Sequence, residues 1–272
     1  MSVSAYHSHV ILNGRLLDAV EARISPLSDG FMFGLGLFET IKVLRGRPVF
    51  FEDHFERLRR SAGELGLSFT TSPDELRARC ERCLAANGLD DGSLKVVVFQ
   101  DTDGPGELIA TRKSAYLPEH YERGFALKTF SGGQREGKLF GLKTVNYLGN
   151  LQAKQAAKTA GCDEALFIDS AGLILEGSTS NIFAVKGGEV LTPPLDGRIL
   201  PGIARNRVLQ LLKNVRECAV SVKRLAEADE VFVTNALLGV MPVAAVEQQR
   251  YDLNSNPITK SLMEAYLQDF NH

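Results

Sequence analysis

The sequence predicts a two-domain chain of mixed α/β (α+β) class. Short apolar, β-branched runs alternate with stretches of helical period in both halves, the pattern of an enzyme fold rather than of a repeat protein. That pattern lapses once, in a polar stretch around Leu117 to Gly124 bracketed by Pro118 and Gly124. The 272 residues, 44% of them hydrophobic, suffice for two modest cores. The expected division is a small N-terminal α/β domain over 1–117, an interdomain linker over 118–124 and a larger C-terminal domain of mixed sheet and helix over 125–272.

The elements follow in order. VILNGRLL reads as a hairpin, with Asn13-Gly14 supplying the positive φ values of a type I′ turn. In FETIKVLRGRPVFF, the residues Arg45 to Pro48 separate two more strand-like runs. Phe55, Leu58, Ala62 and Leu65 then recur at helical spacing, predicting a helix over 52–66. Ser72-Pro73 opens a second helix over 73–87, its first half favoured by Glu75 and Glu81. LKVVVFQ, at 94–100, is a buried strand. Beyond 124 come a helix near 147–160, strands EALFID and NIFAVK, a turn at Gly187-Gly188 and a helix after Pro201-Gly202. Strands VFVTN and VMPVAAV and a last helix near 257–270 complete the chain.

Composition excludes several classes of function. With 31 basic and 33 acidic residues and no long run of one sign, nothing points to a nucleic-acid partner. The start, MSVSAYHSHVILNG, lacks the basic and apolar regions of a signal peptide, and no segment approaches the ~18 apolar residues of a membrane span. No membrane partner and a cytoplasmic location are therefore expected. Cys80, Cys83, Cys162 and Cys218 are too few and scattered for a disulfide scaffold, and Cys80 and Cys83 share a helix face with Leu76 and Leu84. His7, His9, His54, His120 and His272 offer neither a zinc cluster nor a hydrolase triad, so no metal is expected. Gly34 to Glu39 carries two glycines of a dinucleotide fingerprint but a strand follows it. Gly132 to Lys138 fits G-x-x-x-x-G-K, yet Leu139 stands where a magnesium-binding hydroxyl belongs.

Three segments carry chemistry. Lys143 lies in an apolar context at the entry to a helix. Glu176 precedes a dense set of hydroxyl and amide groups, Ser178, Thr179, Ser180 and Asn181. Leu200-Pro201-Gly202-Ile203-Ala204-Arg205 opens a helix with free N–H groups, a natural anion site. An amine that attacks an aldehyde, a carboxylate that keeps a pyridine nitrogen protonated and an anion cup are what pyridoxal 5′-phosphate requires. Taken singly, each has a bland reading as a surface lysine, a solvated turn residue or an ordinary helix start.

Together the motifs are familiar. K-x-x-N-Y-L, D-E-A-L-x-x-D-x-x-G-x-x-x-E-G-S-T-S-N-x-F and I-L-P-G-I-x-R resemble the class-IV (fold-type IV) pyridoxal-phosphate aminotransferases, and FGLGLFETIKVLRGRPVFFEDHFERL is similar to the same family's first half. The resemblance covers nearly the whole chain. It implies a small α/β domain followed by a larger, barrel-like mixed-sheet domain, a small-molecule amino substrate, and a homodimer with the active site at the domain and subunit interface. It also implies that Lys143 is the Schiff-base lysine and Glu176 the partner of the pyridine nitrogen. Arg57 matches a phosphate-holding arginine, and Ile203 and Ala204 match backbone phosphate donors. Asn235 and Ala236 match a second phosphate-binding turn, and Tyr147 matches a tyrosine near the cofactor's phenolic oxygen. Phe31, Phe33 and Thr40, around the glycine turn, are candidates for the substrate pocket.

Two reactions compete within that family. T-N-A-L-L-G-V-M-P-V, at 234–243, is similar to the lyase branch, which releases pyruvate to make 4-aminobenzoate, whereas branched-chain and D-amino-acid transaminases usually carry small hydroxyl residues and a glutamate there. Against this, Phe99 to Gly104 lacks the arginines of either branch, which leaves the substrate carboxylate without an obvious partner, and Tyr147 resembles branched-chain enzymes. An idle binding protein on the same fold is disfavoured by the intact Lys143 and Glu176.

Overall fold

In a computed structural model, described for residues 6–114, 116–131 and 137–269, the chain forms two compact units. Residues 132–136 of the G-x-x-x-x-G-K stretch, the first five residues and the last three lie outside that description.

The first unit comprises residues up to 115 together with Leu142–Asn146. Its elements are β1 (His9–Leu12), β2 (Arg15–Asp18), α1 (Asp29–Met32), β3 (Gly36–Leu44), β4 (Arg47–Pro48), α2 (Phe51–Leu65), α3 (Pro73–Asn87), β5 (Gly92–Asp101) and β6 (Gly104–Lys113). The strands make one sheet in the order β2-β1-β6-β5-β3-β4. Local chemistry explains the joints. Asn13 and Gly14, at φ 49° and 77°, and Arg45 and Gly46, at 51° and 71°, give both hairpins two-residue turns of the left-handed kind. Ser72 caps α3 in a capping box with Glu75. Leu37, Ile41, Val43, Leu94, Val96 and Val98 point to the same side of the sheet and pack against Phe51, Phe55, Leu58, Leu76 and Leu84. Cys80 and Cys83 are fully buried there as free thiols.

The second unit comprises Tyr116–Gly141 and Tyr147–His272. It contains α4 (Pro118–Arg123), β7 (Phe125–Phe130), a 3₁₀ turn (Lys138–Gly141), α5 (Leu148–Thr159), β8 (Glu164–Ile168), β9 (Ile174–Gly177), β10 (Asn181–Lys186), β11 (Glu189–Thr192), α6 (Ile203–Leu211), β12 (Val215–Glu217), α7 (Val222–Ala226), β13 (Glu230–Asn235), β14 (Gly239–Val246), β15 (Gln249–Arg250) and α8 (Pro257–Gln268). Its mixed sheet runs β12-β11-β10-β13-β14-β7-β8-β9, with β15 on β14. Among its pairs, β14·β7, β7·β8 and β11·β12 are parallel.

Two features differ from the sequence reading. The stretch 118–124 carries helix α4, begun by Pro118 at its first turn, and belongs to the second unit. Residues 142–146, expected in the second half, return to the first unit, where Thr144 bridges Leu37. No helix among the described residues is long and apolar enough to cross a membrane.

Candidate active site

The segment that bears Lys143 lies along β3. Phe38 N–H donates to the Lys143 carbonyl at 2.8 Å, Val145 N–H to Gly36 O at 3.0 Å, and Asn146 Nδ2 to Gly34 O at 2.9 Å. The glycines of FGLG make this possible: Gly34 has φ +67°, and a Cβ there would collide with Asn146 Oδ1. The bridge register turns Lys143 to the face of β3 that carries Phe38, and Lys143 Nζ lies over the Phe38 ring, 4.4 Å from its centroid. Thr40 shares that face.

On the opposite face is a buried polar triad. Arg57, on α2, donates to Glu39 through Nε (2.8 Å) and Nη2 (2.6 Å), and His54 Nδ1 meets the same carboxylate at 2.7 Å. Burial pushes the Glu39 carboxyl up, but the Arg57 and His54 interactions outweigh it and lower its pKa to about 2. Burial holds His54 below the ordinary histidine range, against the pull of Glu39, and the Arg57 and Lys143 cations act in the same direction as burial. His54 is therefore a neutral imidazole, with its buried Nε2 unpartnered. One edge of the Arg57 guanidinium, Nε and Nη2, is thus committed to Glu39. Phe31, within α1, and Phe33, at its C-cap, are 65% and 72% exposed.

In the second unit, Glu176 at the end of β9 is buried, and its Oε2 accepts from Leu200 N–H at 2.9 Å and Asn181 Nδ2 at 3.4 Å. Asn181 Nδ2 also donates to Leu200 O at 2.9 Å. The Glu176 carboxylate is thus tied to the loop that enters α6. Gly202 occupies the N-cap of that helix, where a side chain would collide with Asn181 Oδ1, and no side chain caps the helix start. Ile203 and Ala204, both buried, open the helix.

The hydroxyls between these groups have other duties. Ser178 Oγ and Thr179 Oγ1 both donate to Glu164, which is fully buried at the start of β8 and is reached by Lys154 Nζ at 3.2 Å. The carbonyl of Ser178 accepts from Tyr147 OH (2.9 Å) and Asn150 Nδ2 (2.7 Å). Asn235 Nδ2 donates to Thr179 O at 3.1 Å while its Oδ1 accepts from Leu237 and Leu238 N–H, both at 2.9 Å. Ser180 Oγ and Thr234 Oγ1 are buried without a partner. The structure therefore gathers these residues into two hydrogen-bonded sets, Glu176 and Asn181 with Leu200 in one and Tyr147, Ser178, Thr179 and Asn235 with Asn150 and Glu164 in the other.

A class-IV aminotransferase family model (Amino-transferase class IV) matches residues 36–246, from the start of β3 to the end of β14. The chain belongs to that family. The aminodeoxychorismate lyase of Bacillus subtilis is 30% identical, with 94% of this chain and 93% of that one aligned; the D-alanine aminotransferase of Bacillus licheniformis is also 30% identical over 94% and 95%. The Escherichia coli branched-chain amino acid aminotransferase superposes with a TM-score of 0.88 at 26% identity, covering 97% and 95%. The two-unit mixed fold is that of the fold-type IV enzymes, and the chain is a pyridoxal-phosphate enzyme of the class-IV aminotransferase family.

The residues present fit that cofactor. A buried carboxylate held by a backbone N–H is suited to a protonated ring nitrogen, and a helix start without a side-chain cap is suited to a phosphate. Glu39, His54, Asn150 and Glu164 escaped the sequence reading. A signal existed for Glu39: it interrupts the Leu37, Ile41, Val43 set at period two, as a charge on the core-facing side of a strand.

Proposed function

We propose that the chain is an aminodeoxychorismate lyase, eliminating pyruvate to give 4-aminobenzoate for folate synthesis. The observation that carries this reading is the turn at 235–239. Asn235 closes it by accepting two N–H groups while anchoring it to Thr179, a span beyond the reach of the shorter hydroxyl side chains usual in the transaminases. The turn ends on Gly239 at φ +68°, where a Cβ would stand 2.9 Å from the Tyr266 ring, so no glutamate fits at that position. The equal resemblance to a D-alanine aminotransferase keeps a D-amino-acid or branched-chain transaminase as the second reading.

Pyridoxal phosphate, when bound, supplies an electron-accepting ring that weakens bonds next to the substrate amine. The chain's own residues do the rest. Lys143 Nζ is the amine that holds the cofactor and moves the proton. Glu176, immobilised by Leu200 N–H and Asn181, keeps a proton on the ring nitrogen. As the family resemblance implies, the residues that would hold the phosphate are Ile203 and Ala204 at the start of α6, Asn235 and Ala236 in the turn after β13, and Arg57. Tyr147, whose OH donates to Ser178 O, is the residue that would stand near the ring oxygen. We read the protein as a cytoplasmic homodimer, supported by the exposed apolar side chains Leu27, Phe31, Met32 and Phe33.

The deciding experiment supplies aminodeoxychorismate without any 2-oxo acid and assays pyruvate and 4-aminobenzoate. Both should appear at roughly 1 per second or faster. Amino-group exchange with leucine, valine or D-alanine at such rates, with no pyruvate from aminodeoxychorismate, selects the second reading.

A further inference from the structure

The Lys143 face of the first unit carries a second lysine that the proposed mechanism does not use. In the β3·β5 register Lys95 stands directly opposite Thr40 and diagonal to Phe38, so its side chain leaves the sheet on the side that bears Phe38 and Lys143. Lys95 Nζ lies 4.4 Å from the Phe38 centroid, the same distance as Lys143 Nζ. The two ammonium groups are therefore no more than twice 4.4 Å apart.

The surroundings of Lys95 are unbalanced in charge. Arg112 and Lys42 emerge on the same face, and each has company: Arg112 Nε donates to Ser93 Oγ at 3.3 Å, and Asp91 supports the charge of Lys42. Among the described residues no carboxylate pairs with Lys95, which is only partly exposed. Burial, and then the Arg112 cation, hold its ammonium below the ordinary lysine range. A partly buried cation beside other cations and against the face of an aromatic ring is a place where an anion gains more than it does in water.

We propose that Lys95 is the cation that receives the carboxylate of the amino substrate, with the Phe38 ring that both lysines approach limiting how far that carboxylate lies from the reacting amine. The proposal rests on the reading of Lys143 as the cofactor-bearing amine. It supplies the partner that the strand end Phe99 to Gly104, without arginines, does not. An ammonium suits the role as a point charge without the planar fork of arginine, so it sets the position of the carboxylate and leaves its orientation to the rest of the pocket. Lys95 acts on binding; proton transfer stays with Lys143.

The rival role is structural, a cation packed on Phe38 to hold the ring in place. The two are separated with the holoenzyme and its Lys95→Gln and Lys95→Arg variants, using succinate, a carboxylate with no amine to react. Succinate binding is followed by the change in the cofactor's visible absorbance. Cofactor affinity and borohydride fixation to Lys143 should match in all three proteins. The Gln variant should bind succinate roughly tenfold or more weakly, the Arg variant within about threefold of wild type, as for loss and replacement of a charge-assisted contact. With the amino substrate, KM should rise in the Gln variant while kcat changes little. Equal succinate affinity in wild type and the Gln variant, or no succinate binding to wild type, overturns the proposal while leaving the cofactor reading intact. Absence of the visible band and of borohydride fixation in wild type sinks the cofactor reading and the proposal with it.

Discussion

Lys143 and Glu176 are held in opposite ways. Lys143 is fixed through its backbone: three hydrogen bonds bind residues 143–146 to residues 34–38, while the side chain lies along an aromatic face. Glu176 is fixed through its carboxylate, gripped by Leu200 N–H and Asn181. The difference suits the tasks proposed for them. An amine that attaches to a cofactor and shuttles a proton must keep rotamer freedom on a rigid base, and sliding contact with a ring costs little when it breaks. A carboxylate that holds a proton on a ring nitrogen must not move, and directional donors see to that.

The harshest way to break the comparison removes the mobile group. Lys143→Ala should abolish turnover, a loss of roughly 10²–10⁴-fold or more for a missing proton-transfer group, and leave the cofactor removable by dialysis. Mass spectrometry after borohydride reduction should place the pyridoxyl group on Lys143 in wild type. A label on Lys154 would contradict the assignment, and the ion pair of Lys154 with Glu164 argues against it. Next in size is the fixed group. Glu176→Gln should retain most cofactor affinity yet slow turnover about 10²-fold, because a neutral amide no longer stabilises the protonated ring nitrogen. An unchanged rate at saturating cofactor would make Glu176 a structural residue only.

Much of this was legible in the sequence, for identifiable reasons. Helices α2 and α3 were readable because period and caps are local: Ser72, Pro73 and Glu75 mark the start of α3 without knowledge of anything distant. Strands β7 and β9 were passed over, since short runs such as FALKTF alternate too weakly to stand out from loops, and so was the longer β6, whose run opens on Gly104-Pro105-Gly106. The return of Leu142–Asn146 to β3 was invisible, because pairing between positions about a hundred residues apart leaves no local trace. The candidate site shows the same divide. Lys143 and Glu176 were readable as residue types in unusual settings, but the commitment of Ser178 and Thr179 to Glu164, and of Arg57 to Glu39, depends on which polar groups the fold buries together.

That last commitment sharpens the comparison from the side of the first unit. Arg57→Ala should weaken cofactor binding by about 1.5–3 kcal/mol, the size of a charge-assisted hydrogen bond. It should also lower the thermal midpoint, because it strands the buried Glu39 carboxylate with a neutral histidine as its remaining partner. Cofactor titration separates the effects: Arg57→Lys should recover stability better than affinity, since a point charge can neutralise Glu39 but cannot serve two anions through one planar fork. Wild-type affinity in the alanine variant would confine Arg57 to the triad.

The smallest change aims at the backbone that carries Lys143. Gly34→Ala adds one methyl group at φ +67°, where an L-residue is strained by about 1–2 kcal/mol, and sets its Cβ against Asn146 Oδ1. Asn146 must withdraw, losing its hydrogen bond to Gly34 O and loosening the end of the segment that holds Lys143 on β3. Stability should fall by about 1–3 kcal/mol, and the chemical step should slow more than substrate or cofactor binding weakens, because the amine is still present but less well aimed. Asn146→Ala in the same background tests the route: with the colliding amide gone, Gly34→Ala should cost little beyond its own backbone strain. If the two substitutions simply add, the side-chain collision is not what Gly34 prevents, and its role reduces to the left-handed turn that begins β3.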